Sequence, residues 1–419
     1  MCVLWLADWK ILYKEFLHVW GVSADFVQYL PYYDTHVVLA AIQCHAKGFD
    51  VFEYNPCDVA GRVHVYSPVW LAASWTGIGV TDTPWVGTLQ VVAFLATAAW
   101  VTNAGTATEA CVYLAALLSQ SFAMAVDRGN FDLLMFIMIV CACYLLNRGG
   151  SSRFWAYPAI YGAAILKFYP IVAFGLTLTE TPRRFIPVAA AAAVAWALFF
   201  LLAWHDLTEL WSHIPHAPPL GDAWGGFNAF LAVGHIFARH MPGRGASIEN
   251  AAKALYYGAS LGLAGLSLMF ARRLIASGLT IPIGERRGIF FLAGALITLF
   301  AFFSTQNPSY RAIWVLLMLP LLIDLRRAPS PLRRLWTAEI ALAIVLLWFE
   351  FFHLWAWRLT GSHMVEDSVA FFLREPLWWA FITGVMTLLW VAIASAPALR
   401  GLLSARRKGP SFAAAAAAD

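Results

Sequence analysis

The sequence predicts an all-α, polytopic integral membrane protein: a bundle of about 9–11 membrane helices carrying a structured outer loop. Three observations carry this. Of the 419 residues 61% are hydrophobic and only 12% are charged, whereas soluble domains carry about 25% charged residues. The apolar stretches are continuous and long enough for helical spans. They do not alternate in the way a β-barrel strand requires. Basic residues are also gathered into clusters at the ends of those stretches, and this topological arrangement accounts for the net charge of +4 without a nucleic-acid partner.

Residues 1–23 read as an amphipathic or degenerate first helix, because Asp8, Lys10, Lys14 and Glu15 interrupt any span. No signal-peptide pattern is present. Residues 24–84 form the outer loop, which is aromatic and acidic and ends in an interfacial helix over Tyr66–Val80. The transmembrane bundle occupies 85–400, with spans expected at 85–102, 109–126, 130–146, 185–204, 251–271, 289–304, 311–324, 336–356 and 375–398. The stretch 154–180 is long enough for one span but holds Lys167 and Pro170 at its middle, so a broken or re-entrant helix pair is expected. Residues 401–419 form a disordered cytoplasmic tail. No internal repeat is visible.

Sixteen of the 28 Lys and Arg residues lie in five clusters, at 148–153, 183–184, 272–287, 326–334 and 400–408. By the positive-inside rule these share the cytoplasmic face, provided 154–180 enters and returns to it. The outer loop, the turn 127–130, the loop 205–250, the turn 305–310 and the loop 357–374 then share the opposite face. This predicts a multi-pass protein of the plasma (inner) membrane, with its polar loops facing the periplasm or cell exterior.

Candidate chemistry gathers in those loops. Asp34, in Tyr-Tyr-Asp-Thr-His with His36 close by, could act as general base toward a hydroxyl, and Asp25 is its rival. Asp50, Glu53 and Asp58 sit in turn-rich sequence and read as scaffold. Asp127, Arg128, Asn130 and Asp132 exceed what a tight turn needs; binding and a local salt bridge weigh equally. Lys167 is an intramembrane cation suited to a phosphate or to a buried carboxylate. Arg311, beside Tyr310, opens a span on the outer face, where it can hold a lipid phosphate or snorkel to headgroups. Cys44 and Cys57 are either bridged in an oxidising compartment or two free thiols. His205, Asp206, His213, His216 and Asp222 lie in a Pro- and Gly-containing loop that could form a lid. Zinc-ligand spacing is absent, so no metal is expected, and no glycine-rich nucleotide loop or other cofactor signature appears.

The succession RGNFDLLMF, AAILKFYPIVAF and NPSYRAIWVLLMLPLL, behind an outer loop with an early Asp, resembles the GT-C membrane glycosyltransferases and most closely glycosyltransferase family 87, the polyprenyl-phosphate-mannose-type transferases. The run Cys44, Gly48-Phe49-Asp50, Asn55-Pro56-Cys57-Asp58, Gly61-Arg62 also resembles the loop of a bacterial group of membrane proteins. The first resemblance implies an inverting hexosyltransferase, or one acting on a pentose, with mannose the first candidate. The sugar would pass from a polyprenyl-phosphate donor to a glycan or lipid acceptor in the cell envelope. Asp34 would be the base, and Arg311, Lys167, Arg128, Asn130, Asp127, Tyr310 and His36 would bind substrate. Residues 1–23 depart from the clear first span such proteins have, through a degenerate helix or a misassigned start. A transporter or flippase of lipid-linked sugars and a non-catalytic cell-envelope scaffold are the alternatives.

Overall fold

The computed structural model describes Trp20 and residues 30–214, 220–221, 223–241, 243–304, 306–328 and 331–400. The rest of the expected helix over 1–23, Asp25, His216, Asp222 and the tail 401–419 lie outside the described residues. The described chain is helical almost throughout, as its apolar content requires: backbone groups in a bilayer must satisfy one another within a segment.

Helix α1 (Tyr33–Ala46) is buried on nearly every side and forms the core of the unit that precedes the bundle. A 3-10 helix over Pro68–Thr76, where an interfacial helix was expected, packs beside it and hydrogen-bonds through Trp70 Nε1 to Leu166 O at 3.1 Å. Cys44 and Cys57 are bridged, their Cα atoms 5.8 Å apart. Asp58 is scaffold: its carboxylate takes Arg62 Nε and Nη2 at 3.0 and 2.7 Å, and the Arg62 guanidinium lies 3.4 Å over the Tyr33 ring.

The bundle begins with α2 (Thr83–Val101), α3 (Ala107–Leu117), α4 (Gln120–Arg128) and α5 (Asp132–Arg148). Helix α6 (Ser152–Lys167) is followed by a 3-10 helix over Tyr169–Thr179, then α7 (Pro182–Leu202), α8 (Trp204–Ser212), α9 (Asn228–His240), α10 (Gly245–Ala276) and α11 (Arg286–Ser304). After a 3-10 helix over Ser309–Leu317 come α12 (Leu319–Arg327), α13 (Arg333–Leu347), α14 (Phe349–Thr360), α15 (His363–Val369) and α16 (Glu375–Ala394). Strand β1 (Ala223–Trp224) pairs antiparallel with β2 (Asn307–Pro308).

Among the described residues five helices are long and apolar enough to cross a membrane, and up to seven spans result if α3 with α4, bent by 52°, and α13 with α14, bent by 53°, each count as one. The expected span at 130–146 is a helix of 17 residues. That at 311–324 divides at Met318 into a 3-10 and an α segment, with Pro320 near the start of the second. The core is built on α11, the most buried of the five. It closes on the 309–317 segment at Gly294, where an added Cβ would meet Trp314 O at 2.9 Å.

Residues 152–180 form a hairpin. The α6 leg rises about 24 Å and the 3-10 leg about 22 Å. They part at Phe168, a non-glycine residue at φ 54°. Their far ends meet again, because Arg153 Nε binds Glu180 Oε1 at 2.8 Å. The segment therefore leaves one end of the bundle and returns to it, with Lys167 at the opposite end.

Contacts gather basic clusters at that first end. Arg286 Nη2 donates to Trp100 O, Arg287 pairs with Asp324, and Arg327 Nη1 reaches Glu109 Oε1 at 2.7 Å. Helix α5 runs from Asp132 at the far end to Arg148 at this one.

Candidate active site

At the far end, helix termini converge. Helix α4 closes on Gly129, which sits at φ 53° and sends the chain directly into α5. The turn is tight enough that a Cβ on Gly129 would meet Thr35 Oγ1 at 2.6 Å and Tyr32 side-chain atoms at 3.0 Å. Thr35 Oγ1 and Gln90 Nε2 donate to Gly129 O at 2.7 and 3.0 Å, and Gln90 Nε2 also donates to Asn130 O at 2.8 Å. The turn 127–130 is thereby fixed against α1 and α2, with Arg128 and Asn130 on either side of the glycine.

Arg128 grips Asp34 with both forks of its guanidinium: Nε to Oδ2 at 2.8 Å and Nη2 to Oδ1 at 2.7 Å. Asn130 Nδ2 donates to Asp34 Oδ2, while Asn130 Oδ1 accepts from Lys167 Nζ at 2.6 Å and from Asp132 N at 2.8 Å. Asn130, fully buried, is therefore the hub between two ion pairs. The second pair is Lys167 Nζ with Asp132 Oδ1 at 2.7 Å. That oxygen also accepts from Tyr169 OH at 2.8 Å, and Tyr169 OH in turn accepts from Trp314 Nε1 at 3.0 Å.

Arg311 completes the group. Its Nη1 donates to Asn307 Oδ1 at 2.7 Å, and its Nε faces Asp132 Oδ2 across 3.6 Å. Among the described residues neither of those two facing atoms has a hydrogen-bond partner, and both are buried. Aromatic rings wall the cluster: Tyr310 lies 5.7 Å from the Arg128 guanidinium and 5.8 Å from Lys167 Nζ, and Tyr66 lies 5.3 Å from Lys167 Nζ.

Burial pushes the Asp34 carboxyl up, but the Arg128 charge and the hydrogen bonds from Arg128 and Asn130 prevail and hold it below the usual carboxylate range. Asp34 is thus kept ionised. A carboxylate offers about four acceptor positions. Three are used here, which leaves one, on Oδ1, for a further donor.

Of the residues singled out from sequence, Asp34, Arg128, Asn130, Lys167, Tyr310 and Arg311 stand together. His36, two positions along α1 from Asp34, points to the Asp58 carboxylate instead, its Nε2 3.8 Å from Oδ1. Asp127 contributes its carbonyl, which accepts from Tyr32 N at 2.8 Å. His205 and Asp206 lie on α8 and His213 just past its end, apart from the cluster. No group of three or more metal-ligating side chains occurs among the described residues.

Residues 82–281 match the family model of glycosyltransferase family 87. This agrees with a GT-C-like membrane glycosyltransferase, and the family implies glycosyltransferase activity. The matched region covers just under half of the chain. It contains Arg128, Asn130, Asp132, Lys167 and Tyr169; Asp34 lies before it and Arg311 after it. No curated protein and no solved structure matches the chain.

Sequence reading passed over a second buried polar group. Arg374 is fully buried and binds Glu350 Oε1 at 2.7 Å, Glu375 Oε1 at 3.1 Å and Gly221 O at 2.8 Å. Glu375 Oε1 also accepts from Asn228 Nδ2 at 2.8 Å, and Asn228 Oδ1 accepts from Gln306 Nε2 at 3.0 Å. Gln306 directly precedes β2, so this group braces the strand from which Asn307 reaches Arg311. The signal was present: Glu350 and His353 lie three apart inside an otherwise apolar stretch.

Proposed function

We propose that the protein transfers a sugar from a polyprenyl-phosphate donor to a hydroxyl of a glycan or lipid acceptor, with Asp34 as general base. The observation that carries this is the charge count of the cluster. Among the described residues three cations, Arg128, Lys167 and Arg311, face two carboxylates, Asp34 and Asp132. These pairs carry one positive charge in excess, which supports an anionic ligand. A phosphodiester linking a sugar to a polyprenyl chain carries a single negative charge and satisfies that count. A nucleotide sugar, with its doubly charged diphosphate, exceeds it.

The facing Arg311 Nε and Asp132 Oδ2 supply a free donor and a free acceptor at this place. Arg311 would take a phosphate oxygen, with Lys167 adding charge at short range. The acceptor hydroxyl would donate to the remaining position on Asp34 Oδ1. Its oxygen attacks the anomeric carbon as the bond from that carbon to the phosphate oxygen breaks. The electron pair leaves with the phosphate, and the hydroxyl proton passes to Asp34. One displacement inverts the anomeric centre and releases polyprenyl phosphate. Stabilising charge as it develops on the leaving phosphate is the largest service such a fixed cluster can give.

A lipid-borne donor also suits the location. The cluster lies at the bundle end opposite the arginine clusters, and the positive-inside rule supports an extracytoplasmic position for it. Mannose is the first sugar to test. Membranes containing wild type or Asp34→Asn, given labelled polyprenyl-phosphate sugars, test the reading. Wild type should transfer label, and the variant should lose about 10²–10⁴-fold in turnover. Equal transfer by both would remove Asp34 from the chemistry.

A further inference from the structure

At the arginine-rich end of the molecule, remote from the candidate active site, α6 and α7 part around a groove of about 440 Å³. Deeper along the two helices they are held together: Tyr161 OH donates to Ala195 O at 3.0 Å, and the Tyr161 and Trp196 rings meet edge to face at 6.0 Å. The groove has two chemistries. One wall is apolar, made by Phe154, Pro187, Val188 and Ala191, and Phe154 is 63% exposed. The mouth is cationic. Arg153 and Glu180 neutralise each other there, and Tyr157 OH donates to the same Glu180 oxygen at 2.7 Å. Arg183 and Arg184, both exposed, have no carboxylate partner among the described residues.

We infer that this groove binds an anionic phospholipid, its phosphate between Arg183 and Arg184 and one acyl chain along Pro187, Val188 and Ala191. Two features favour a lipid over a soluble phosphate. The apolar wall continues into α7, the least buried of the five candidate spans, with 11% of its apolar window inside the protein. A chain leaving the groove therefore stays on a surface that already faces hydrocarbon. The two arginines also stand in the first turn of that span, the depth at which headgroup phosphates lie and at which basic side chains attract anionic lipid. The carboxylate that would repel such a phosphate is already paired. A zwitterionic headgroup satisfies the mouth less well, because it brings its own cation.

The test uses the full chain in detergent, with phosphatidylglycerol titrated and retained lipid read by native mass spectrometry. Two variants are compared with wild type. Arg183→Ala/Arg184→Ala removes the charge, and Val188→Trp fills the apolar wall while keeping both arginines. Thermal unfolding checks that each is folded. A loss of tenfold or more in phosphatidylglycerol affinity in both variants, with phosphatidylcholine bound at least tenfold more weakly by wild type, supports the site. A smaller loss in either folded variant, or equal binding of the two lipids, overturns it. Glycerol 3-phosphate is the last arm: competition at concentrations equal to the lipid would mean that a soluble phosphate, not a lipid, is the occupant. Neither arginine belongs to the candidate active site, so failure here would leave the proposed transfer reaction standing.

Discussion

Asp34 keeps its charge because Arg128 holds it on both oxygens, and the converse dependence is equally strong. Removing one partner of a buried pair strands the other and costs about 3–5 kcal/mol. Arg128→Ala should therefore unfold at a clearly lower temperature than wild type. Asp34→Asn/Arg128→Ala should recover part of that loss, and a double variant no more stable than Arg128→Ala would show that the pair is not coupled. At this scale the sequence marked candidates and was silent about whom they meet. Lys167 stood out as a charge within an apolar segment, Arg311 as a cation on the face opposite the basic clusters, Arg128 as more than a tight turn needs, and Asp34 as an acid among aromatic residues in the polar loop. Tyr169, Trp314 and Gln90 could not stand out, since rings and amides in a membrane protein are common and only their partners distinguish them. His36 faces away from the cluster for a geometric reason: two residues along a helix turn the side chain by about 200°, toward Asp58 and away from Asp34.

Among the elements, the turn joining α4 to α5 has the least latitude. Gly129 combines a left-handed φ with contact on both sides, so Gly129→Ala should lose about 1–3 kcal/mol from backbone strain alone. The collision with Thr35 should add to it, and transfer activity should fall as Arg128 and Asn130 shift. Gly77 is the control, because it is also left-handed, at φ 74°, but nothing lies within 4 Å of an added Cβ. If Gly77→Ala destabilises as much as Gly129→Ala, the close packing of the turn at Gly129 is irrelevant. Elements were legible where length and apolarity sufficed, as in α7, α10, α11 and α16. The 3-10 segments at 169–179 and 309–317 were not, because a largely continuous apolar run carries no periodicity to separate a 3-10 from an α helix. The hairpin over 152–180 was readable from Lys167 and Pro170 together, a charge and a helix breaker at mid-depth.

For the molecule as a whole, the unit built on α1 should be the acid-sensitive part. Burial lowers the pKa of His64 from 6.5 to about 4, and His36 is lowered by the same cause. A histidine depressed in the folded state contributes stability fully above its unfolded pKa. That contribution is lost as pH falls from about 6.5 toward 4, because only the unfolded chain takes up the proton. For His64 the loss is about 3 kcal/mol across that window. Hydrogen exchange of the 51–67 backbone, corrected for intrinsic rates, should show protection falling over this range in wild type and a shallower slope in His64→Gln. An unchanged slope would assign the sensitivity elsewhere. Asp34 and Asp58 are depressed carboxylates, so their contribution is lost at still lower pH, below the usual range near 4. The spacing of arginines gave the expectation that loops converge on one end, whereas the brace that joins Arg374, Glu350 and Glu375 to Gly221, Asn228 and Gln306 needs distant segments brought together.

The odd positive charge among the five ionised side chains has a consequence for turnover. On the proposed reaction the donor makes the assembly neutral. Transfer then adds one negative charge to the departing phosphate while Asp34 gains a proton, so neutrality survives the chemical step. It ends when Asp34 ionises again, which the grip of Arg128 strongly favours. The assembly is then left with one negative charge too many, beside a phosphate that is itself an anion. Loss of that proton would act as an eject signal: the arginine that keeps the base weak would also drive the spent lipid from the site and reset it for the next cycle.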